Sequence, residues 1–229
     1  MVLLLLGFLG SAAAVHGQEP ASLLSETSAS PELLLAIDLY TGVAGRVDDA
    51  EARTLLEAAA SDDEDVLARM WVARVHSRGR MTFPRDEDRA RALASDVLPA
   101  VRDLAARGDV EAAFLMGTAY DEGLGTVVDH PEAMRWYRRA AAEGHVLAVH
   151  NIGNMYRDGR GVDVDLEAAA RWWLRAARAG DVIPALRLGE AYEHGRGVPL
   201  DPMQARFWFG VAADKGNAAA AEGLRRVGR

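Results

Sequence analysis

The chain has 229 residues, of which 50% are hydrophobic and 26% are charged. This balance is typical of a soluble globular protein and excludes both a disordered chain and a polytopic membrane protein. The absence of cysteine excludes disulfides, thiolate metal sites and cysteine nucleophiles, and the formal net charge of −8 argues against a nucleic acid partner.

Residues 1–17 have the pattern of a signal peptide. Residues 2–9 are almost entirely apolar, small residues follow at 11–14, and polar sequence begins at Gln18. Because a membrane-spanning helix needs about 20 apolar residues, we expect cleavage after Ala14 or Gly17, with no stable membrane anchor afterwards. The mature protein is then periplasmic or secreted. The first residues lack Lys and Arg, so a cytoplasmic protein with an uncleaved N-terminus is the alternative. Residues 18–31 are expected to form a flexible leader.

Residues 32–107 predict two degenerate helix pairs. In the first pair, the apolar residues between 33 and 37 belong to one helix and those between 55 and 59 to the next. The second pair contains an apolar helix that reaches His76 and stops at Gly79, followed by a cap at Asp86 or Asp88. This second unit holds about eight residues more than the units that follow it.

The residues from 108 to 216 repeat with a period of 36. Glycines mark the period at Gly108, Gly144, Gly180 and Gly216. In the first copy, we predict one helix from Val110 to Glu122 that stops at Gly123, and a second helix that is capped by Asp129. Two helices of about 12 residues cannot bury an apolar stripe by themselves, so the copies must stack.

A glycine also recurs in the middle of the first helix, at Gly117, Gly153 and Gly189. Glycine there costs about 1 kcal/mol relative to alanine. We therefore predict that the two helix backbones of each copy approach closely, with Trp136 and Tyr137 filling the surrounding space. The aromatic residues at these positions are expected in the core of every copy.

The repeated pattern is A-x-x-L/I/M-G-x-x-Y-x-x-G-x-G-V-x-x-D-x-x-x-A-x-x-W-Y/W/F-x-x-A-A-x-x-G. It closely resembles the Sel1-like repeat (SLR) family, a relative of the tetratricopeptide repeat. The resemblance implies an all-α fold, an α/α superhelical solenoid of antiparallel helix pairs, with three regular repeats after the degenerate pairs. Residues 217–229 are expected to form a C-terminal capping helix, with arginines that suit a solvated end.

A search for chemistry yields little. Ser61, Ser77 and Ser95 lack the G-x-S-x-G context of a serine hydrolase. The G-x-G pairs follow predicted helices and lack a third glycine, which argues against dinucleotide binding. Glu190 and His194 are four residues apart and form a metal site only with a third ligand such as His150; an ordinary ion pair between the first two is the plainer interpretation. We therefore predict no catalytic residue, no metal and no cofactor.

The resemblance also suggests a binding surface, because first helices line the concave face of the related tetratricopeptide architecture. Positions on these helices that vary between copies are free to specify a partner. They form five rows: Glu111, Leu147 and Ile183; Phe114, His150 and Leu186; Thr118, Asn154 and Glu190; Asp121, Arg157 and Glu193; Glu122, Asp158 and His194. The first two rows offer apolar anchors and the others a mostly acidic rim, as in a peptide groove. The alternative is a solvated face without a partner.

These observations predict a monomeric, non-catalytic scaffold that binds a protein or peptide of unknown identity. Two alternatives stay open. One is a cell-envelope hydrolase related to β-lactam or peptidoglycan chemistry, which some cysteine-paired members of the family suggest. The other is a purely structural spacer.

Overall fold

The computed structural model describes residues 28–228. The predicted signal peptide and most of the predicted leader lie outside the described residues, and Pro31, the last leader residue, already belongs to a helix. The described residues form eleven helices and no strand: α1 (Pro31–Thr41), α2 (Asp49–Ala59), α3 (Val66–Arg78), α4 (Glu87–Ala106), α5 (Val110–Glu122), α6 (His130–Ala142), α7 (Val146–Asp158), α8 (Leu166–Arg178), α9 (Val182–His194), α10 (Pro202–Asp214) and α11 (Ala218–Val227). Among the helices described, none is long and apolar enough to cross a membrane.

Successive helices pack in pairs, and we call the pairs α1–α2 to α9–α10 units 1 to 5. Helix α11 packs against α10 and α9 as the first helix of an incomplete sixth unit. The first helices also contact each other, α3 with α5 and α5 with α7, whereas second helices make no comparable contacts within residues 28–228. The first helices therefore line the concave side of a solenoid, and the second helices form its outer side.

The local signals in the sequence determine where the helices of units 3 to 5 begin and end. Gly123 closes α5 in the left-handed conformation with φ of 72°. The Asp129 carboxylate caps α6 by accepting a hydrogen bond from the backbone N–H of Glu132 at 2.9 Å. In unit 2 the extra residues lengthen the second helix, because α4 has 20 residues where α6 has 13.

The glycines in the middle of the first helices make room for an aromatic ring. A Cβ atom added to Gly117 would lie 2.5 Å from Cδ1 of Tyr137. An added Cβ would lie 2.6 Å from Cδ1 of Trp173 at Gly153, and 2.5 Å from Cδ1 of Phe209 at Gly189. The prediction of a close approach is confirmed, and the space is filled by a ring of the second helix, as predicted for Tyr137. A backbone atom of the second helix is among the nearest neighbours only in unit 4, where the added Cβ of Gly153 would lie 3.3 Å from the oxygen of Ala169.

The other aromatic position, one residue earlier, is less buried than expected. Trp136 and Trp172 are only half-buried, and the guanidinium groups of Arg139 and Arg175 lie 5.4 and 4.5 Å from the ring centres. Both indoles pack against the edge of the hydrophobic core, and the arginines lie on their own helices. The prediction that these two residues belong to the core is therefore met only in part in units 3 and 4.

The two ends of the solenoid touch each other. The ammonium group of Lys215, after α10, donates to the backbone oxygen of Gly42, after α1, at 2.9 Å and to that of Gly180 at 2.8 Å. The backbone N–H of Val47 donates to the Lys215 oxygen at 3.0 Å. Units 1 to 5 thus curl until the loop after α1 meets the connection between α10 and α11.

Candidate functional site

The predicted binding rows are closed in unit 3 and more exposed in units 4 and 5. In unit 3, Glu111, Phe114, Thr118 and Asp121 are buried, and the Glu122 side chain is 8% exposed. In units 4 and 5, eight row members are half-buried or exposed: His150, Asn154, Arg157, Asp158, Ile183, Glu190, Glu193 and His194. The prediction that Phe114, Leu147 and Leu186 are exposed apolar anchors is wrong, because all three are buried.

Glu111 is buried because it joins three units. One carboxylate oxygen accepts a hydrogen bond from the indole N–H of Trp71 in unit 2 at 2.7 Å. The other lies 2.9 Å from Nε2 of His145, at the start of unit 4. Because His145 Nδ1 accepts from the backbone N–H of Ala148, its Nε2 carries the proton and donates to Glu111. The ring of Phe114 stacks on His145 with centroids 4.4 Å apart, so this part of the concave side is filled.

The acidic residues at the end of α5 are also bonded within the chain. Glu122 accepts from Arg80 at 2.6 Å and from the Ser77 hydroxyl at 2.6 Å. Burial alone would raise the pKa of Glu122, but the attraction and hydrogen bond of Arg80 outweigh burial and lower this pKa to about 2. Asp121 is bonded to Arg160, and Nδ1 of His130 lies 3.2 Å from the same oxygen. Neither carboxylate of unit 3 is free for a partner.

A buried arginine lies between units 1, 2 and 3. The Arg74 guanidinium is 4.4 Å from the Trp71 ring centre, 5.3 Å from that of Phe114 and 5.9 Å from that of Tyr40. Its Nε and Nη1 atoms make no hydrogen bond, and burial together with the charge of Arg80 lowers its pKa. The three aromatic faces offset part of the cost of burying this charge. This arrangement was missed in the sequence analysis, because Arg74 belongs to unit 2, which lies outside the regular repeat.

The possible metal ligands do not converge. Nδ1 of His150 lies 2.8 Å from the carboxylate of Asp181, a buried residue that also caps α9. Glu190 pairs with Arg187 at 2.9 Å, and the exposed His194 lies 3.7 Å from Glu193. The predicted ion pair between Glu190 and His194 is therefore wrong. In the described part of the chain, no three His, Cys, Asp or Glu residues are placed to hold a metal ion.

A pocket of about 320 Å³ opens between α7, α8 and α9, where units 4 and 5 meet. Its lining consists of Arg157, Leu166, Trp173, Arg187, Glu190, Ala191 and Arg196. The Trp173 indole N–H donates to Asn154 at 3.2 Å, which holds the ring in place. Only Arg157 and Glu190 belong to the predicted rows; the other five lining residues, Leu166, Trp173, Arg187, Ala191 and Arg196, are outside them. A comparison of the copies outside the first helices would have found Arg196, because an arginine follows the helix stop in units 4 and 5, at Arg160 and Arg196, whereas unit 3 has Leu124 there.

Comparisons with known proteins agree with this architecture. The profile of the Sel1 repeat family matches five segments, residues 33–63, 66–95, 110–145, 146–181 and 185–217. The first two segments are the degenerate pairs of the sequence analysis, so all five units carry the repeat. No curated protein matches the chain significantly.

Two solved structures resemble the chain. One is a protective antigen present in uropathogenic Escherichia coli strains that displays an SLR fold; it has a TM-score of 0.57 and 24% identity, over 86% of this chain and 48% of its own. The other is a Sel1 repeat protein from Oxalobacter formigenes with a TM-score of 0.54 and 31% identity, over 79% of this chain and 50% of its own. The chain therefore spans about half the length of these two proteins.

Proposed function

The chain belongs to the Sel1 repeat family, and from this premise we propose that it is a non-catalytic scaffold that binds a protein or peptide on the concave side of units 4 and 5. Proteins of this family generally act as protein-interaction scaffolds. The proposal places the partner on the exposed part of the predicted rows, together with the pocket residues that surround it. We also propose that the mature protein is periplasmic or secreted, on the strength of the signal-peptide pattern in residues 1–17.

The pocket between α7, α8 and α9 is the observation that supports the proposal. It combines an aromatic base, Trp173, with an apolar wall at Leu166 and a charged rim. Sites that bind peptides and small molecules have this combination of apolar surface and a few polar groups. The equivalent rows of unit 3 are closed by their own hydrogen bonds, so the pocket gives the concave side a defined place for a partner.

Site-specific crosslinking in the native compartment tests the proposal. A photoreactive amino acid replaces Arg187, which lines the pocket, or Arg178, which is exposed on the outer helix α8 and serves as the matched control. We expect a crosslinked protein adduct from position 187 and none from position 178. The absence of an adduct at 187, or equal adducts at both positions, would contradict the proposal.

A purely structural spacer is the second candidate. It is favoured by the closed inner face of unit 3 and by the contact of Lys215 with the first loop. A spacer needs no partner in the pocket, so the crosslinking experiment separates the two functions.

The hydrolase alternative has no comparable support. Ser77, one of the three serines considered, lies on a buried part of α3 with its hydroxyl bonded to Glu122. Turnover of a penicillin or a peptidoglycan fragment by the purified protein would overturn the assignment as a scaffold.

A further inference from the structure

We infer that the pocket between units 4 and 5 binds a carboxylate of the partner, an Asp or Glu side chain that is followed by an apolar residue. This inference rests on the proposed function, because it names the chemistry that the same site recognises. It depends on a comparison of the pocket with the equivalent place one unit earlier.

One unit earlier, the chain supplies its own carboxylate. In the 36-residue register, Arg157 corresponds to Asp121 and Arg196 corresponds to Arg160. Asp121 of unit 3 is buried, bonded to Arg160 of unit 4 and 3.2 Å from His130. A carboxylate of one unit is therefore held by the arginine that follows the first helix of the next.

The carboxylate at this register position is also paired at the C-terminal end of the solenoid, by an arginine that lies within α11 rather than after it. Glu193 of unit 5 stands one period after Arg157, and its two oxygens accept from Arg226 of α11 at 2.5 and 2.6 Å. From unit 3 to α11, the junction of units 4 and 5 is thus the one at which the carboxylate is missing.

At the junction of units 4 and 5, two positively charged side chains line the pocket. Arg157 and Arg196 cannot pair with each other, and both line the pocket. Arg157 turns back to the carboxylate of Asp158, its neighbour in sequence, at 2.6 and 2.8 Å. Arg196 is exposed and forms no ion pair with any described residue. A carboxylate from outside would occupy the position that Asp121 takes one unit earlier.

The remaining lining favours the same ligand. Three arginines and one glutamate line the pocket, and Glu190 is already paired with Arg187. An anion is therefore attracted locally, although the chain as a whole carries a net charge of −8. Leu166 and the Trp173 ring offer apolar contact beside the arginines, and a volume of about 320 Å³ suits one acidic side chain and its apolar neighbour.

A peptide titration tests the inference directly. The probes are two capped tetrapeptides, acetyl-Gly-Glu-Leu-Gly-amide and the same peptide with Gln in place of Glu. The NMR signal of the Trp173 indole N–H reports on the pocket, because the Trp173 ring lines the pocket and its N–H is held by a hydrogen bond to Asn154. We expect the Glu peptide to shift this signal and to bind roughly tenfold more tightly than the Gln peptide, as for a charge-assisted hydrogen bond. Equal binding of the two peptides, or no shift with either, would overturn the inference.

Two variants sharpen the test. Arg196→Ala removes an exposed side chain with no described ion pair and should weaken binding of the Glu peptide roughly tenfold. Arg157→Asp recreates the pairing of Asp121 with Arg160 and should abolish binding, because the new carboxylate fills the site. Arg178→Ala is the control with the same loss of charge as Arg196→Ala. Circular dichroism confirms that each variant is folded. Wild-type affinity in Arg196→Ala or Arg157→Asp would overturn the inference.

The inference and the proposed function fail in different ways. If a partner crosslinks at position 187 and the Arg196→Ala and Arg157→Asp variants capture it as well as the wild type does, the inference of a carboxylate site is wrong, but the proposed scaffold function is supported. If no partner crosslinks at position 187, the scaffold function fails, whatever the peptides show.

Discussion

Alanine at Gly117 should destabilise the protein, whereas alanine at Gly210 should stabilise it. Both glycines lie inside helices, α5 and α10, so each substitution gains about 1 kcal/mol of helix propensity. The surroundings differ. A Cβ on Gly117 would lie 2.5, 2.6 and 3.0 Å from three carbons of the Tyr137 ring, while a Cβ on Gly210 would have nothing within 4 Å.

The magnitude follows from how little the ring can move. Tyr137 is fully buried and is packed against Phe114 with ring centres 5.9 Å apart. Overpacking at such a site costs about 1–3 kcal/mol, and three contacts at or below 3.0 Å place Gly117→Ala in the upper half of this range. The free energy of unfolding of Gly117→Ala should therefore be about 2–3 kcal/mol below that of Gly210→Ala.

Urea unfolding of the two variants and the wild type measures this difference, provided that the slope with denaturant is unchanged. A double-mutant cycle with Tyr137→Leu adds a specific test. With the ring removed, Gly117→Ala should cost much less than it does in the wild type. Equal stabilisation by both alanine substitutions would refute the argument that the ring requires a glycine.

Three further predictions concern charged groups. Since the folded-state pKa of Glu122 is lowered to about 2, its pairing stabilises the protein above pH 4.5 and is lost as the pH falls towards 2. Glu122→Gln should lower the free energy of unfolding by about 3 kcal/mol at pH 7, and the variant should lose less stability than the wild type between pH 5 and pH 2. Urea unfolding at several pH values measures this, and the same pH dependence in the variant and the wild type would contradict the prediction. Lys215→Met removes the bonds to the oxygens of Gly42 and Gly180, so the amide of Val47 should exchange its hydrogen faster; unchanged protection would show that the ends meet without the lysine. Asp109→Ala removes the cap that accepts from the N–H of Ala112 at 2.7 Å and should lower the unfolding free energy by about 1 kcal/mol, whereas a stability equal to the wild type would exclude this role.

The helices of units 3 to 5 were predictable because their ends depend on neighbours in sequence. A glycine in the left-handed conformation at Gly123 and a carboxylate at Asp129 satisfy backbone groups within a few residues. The predicted span of α5, from Val110 to Glu122, agrees with the structure. The two degenerate pairs were also expected as helical repeats, and the family profile matches a segment of each.

The contact between the helices of one unit was predicted only in part. The mid-helix glycine indicated a close approach, which the structure confirms. The sequence did not show which of two adjacent aromatic residues would face it. Tyr137 is fully buried against Gly117, whereas Trp136 is half-buried at the edge of the core. Which residue meets the glycine depends on how α6 packs against α5 and α7, and this packing is not a local property.

By itself, the sequence determined the repeat, the helix pairs and the need for stacking, because hydrogen bonds of the backbone and apolar periodicity act over one unit. The tertiary structure alone decided which rows are exposed. Glu111 is buried by Trp71, which lies 40 residues away, and Lys215 meets Gly42 across 173 residues. Residues in the same register have different neighbours because each unit packs against different side chains: Glu111 meets Trp71 and His145, whereas unit 4 has Arg157 at the position of Asp121. For this reason the inner face is closed at unit 3 and open between units 4 and 5.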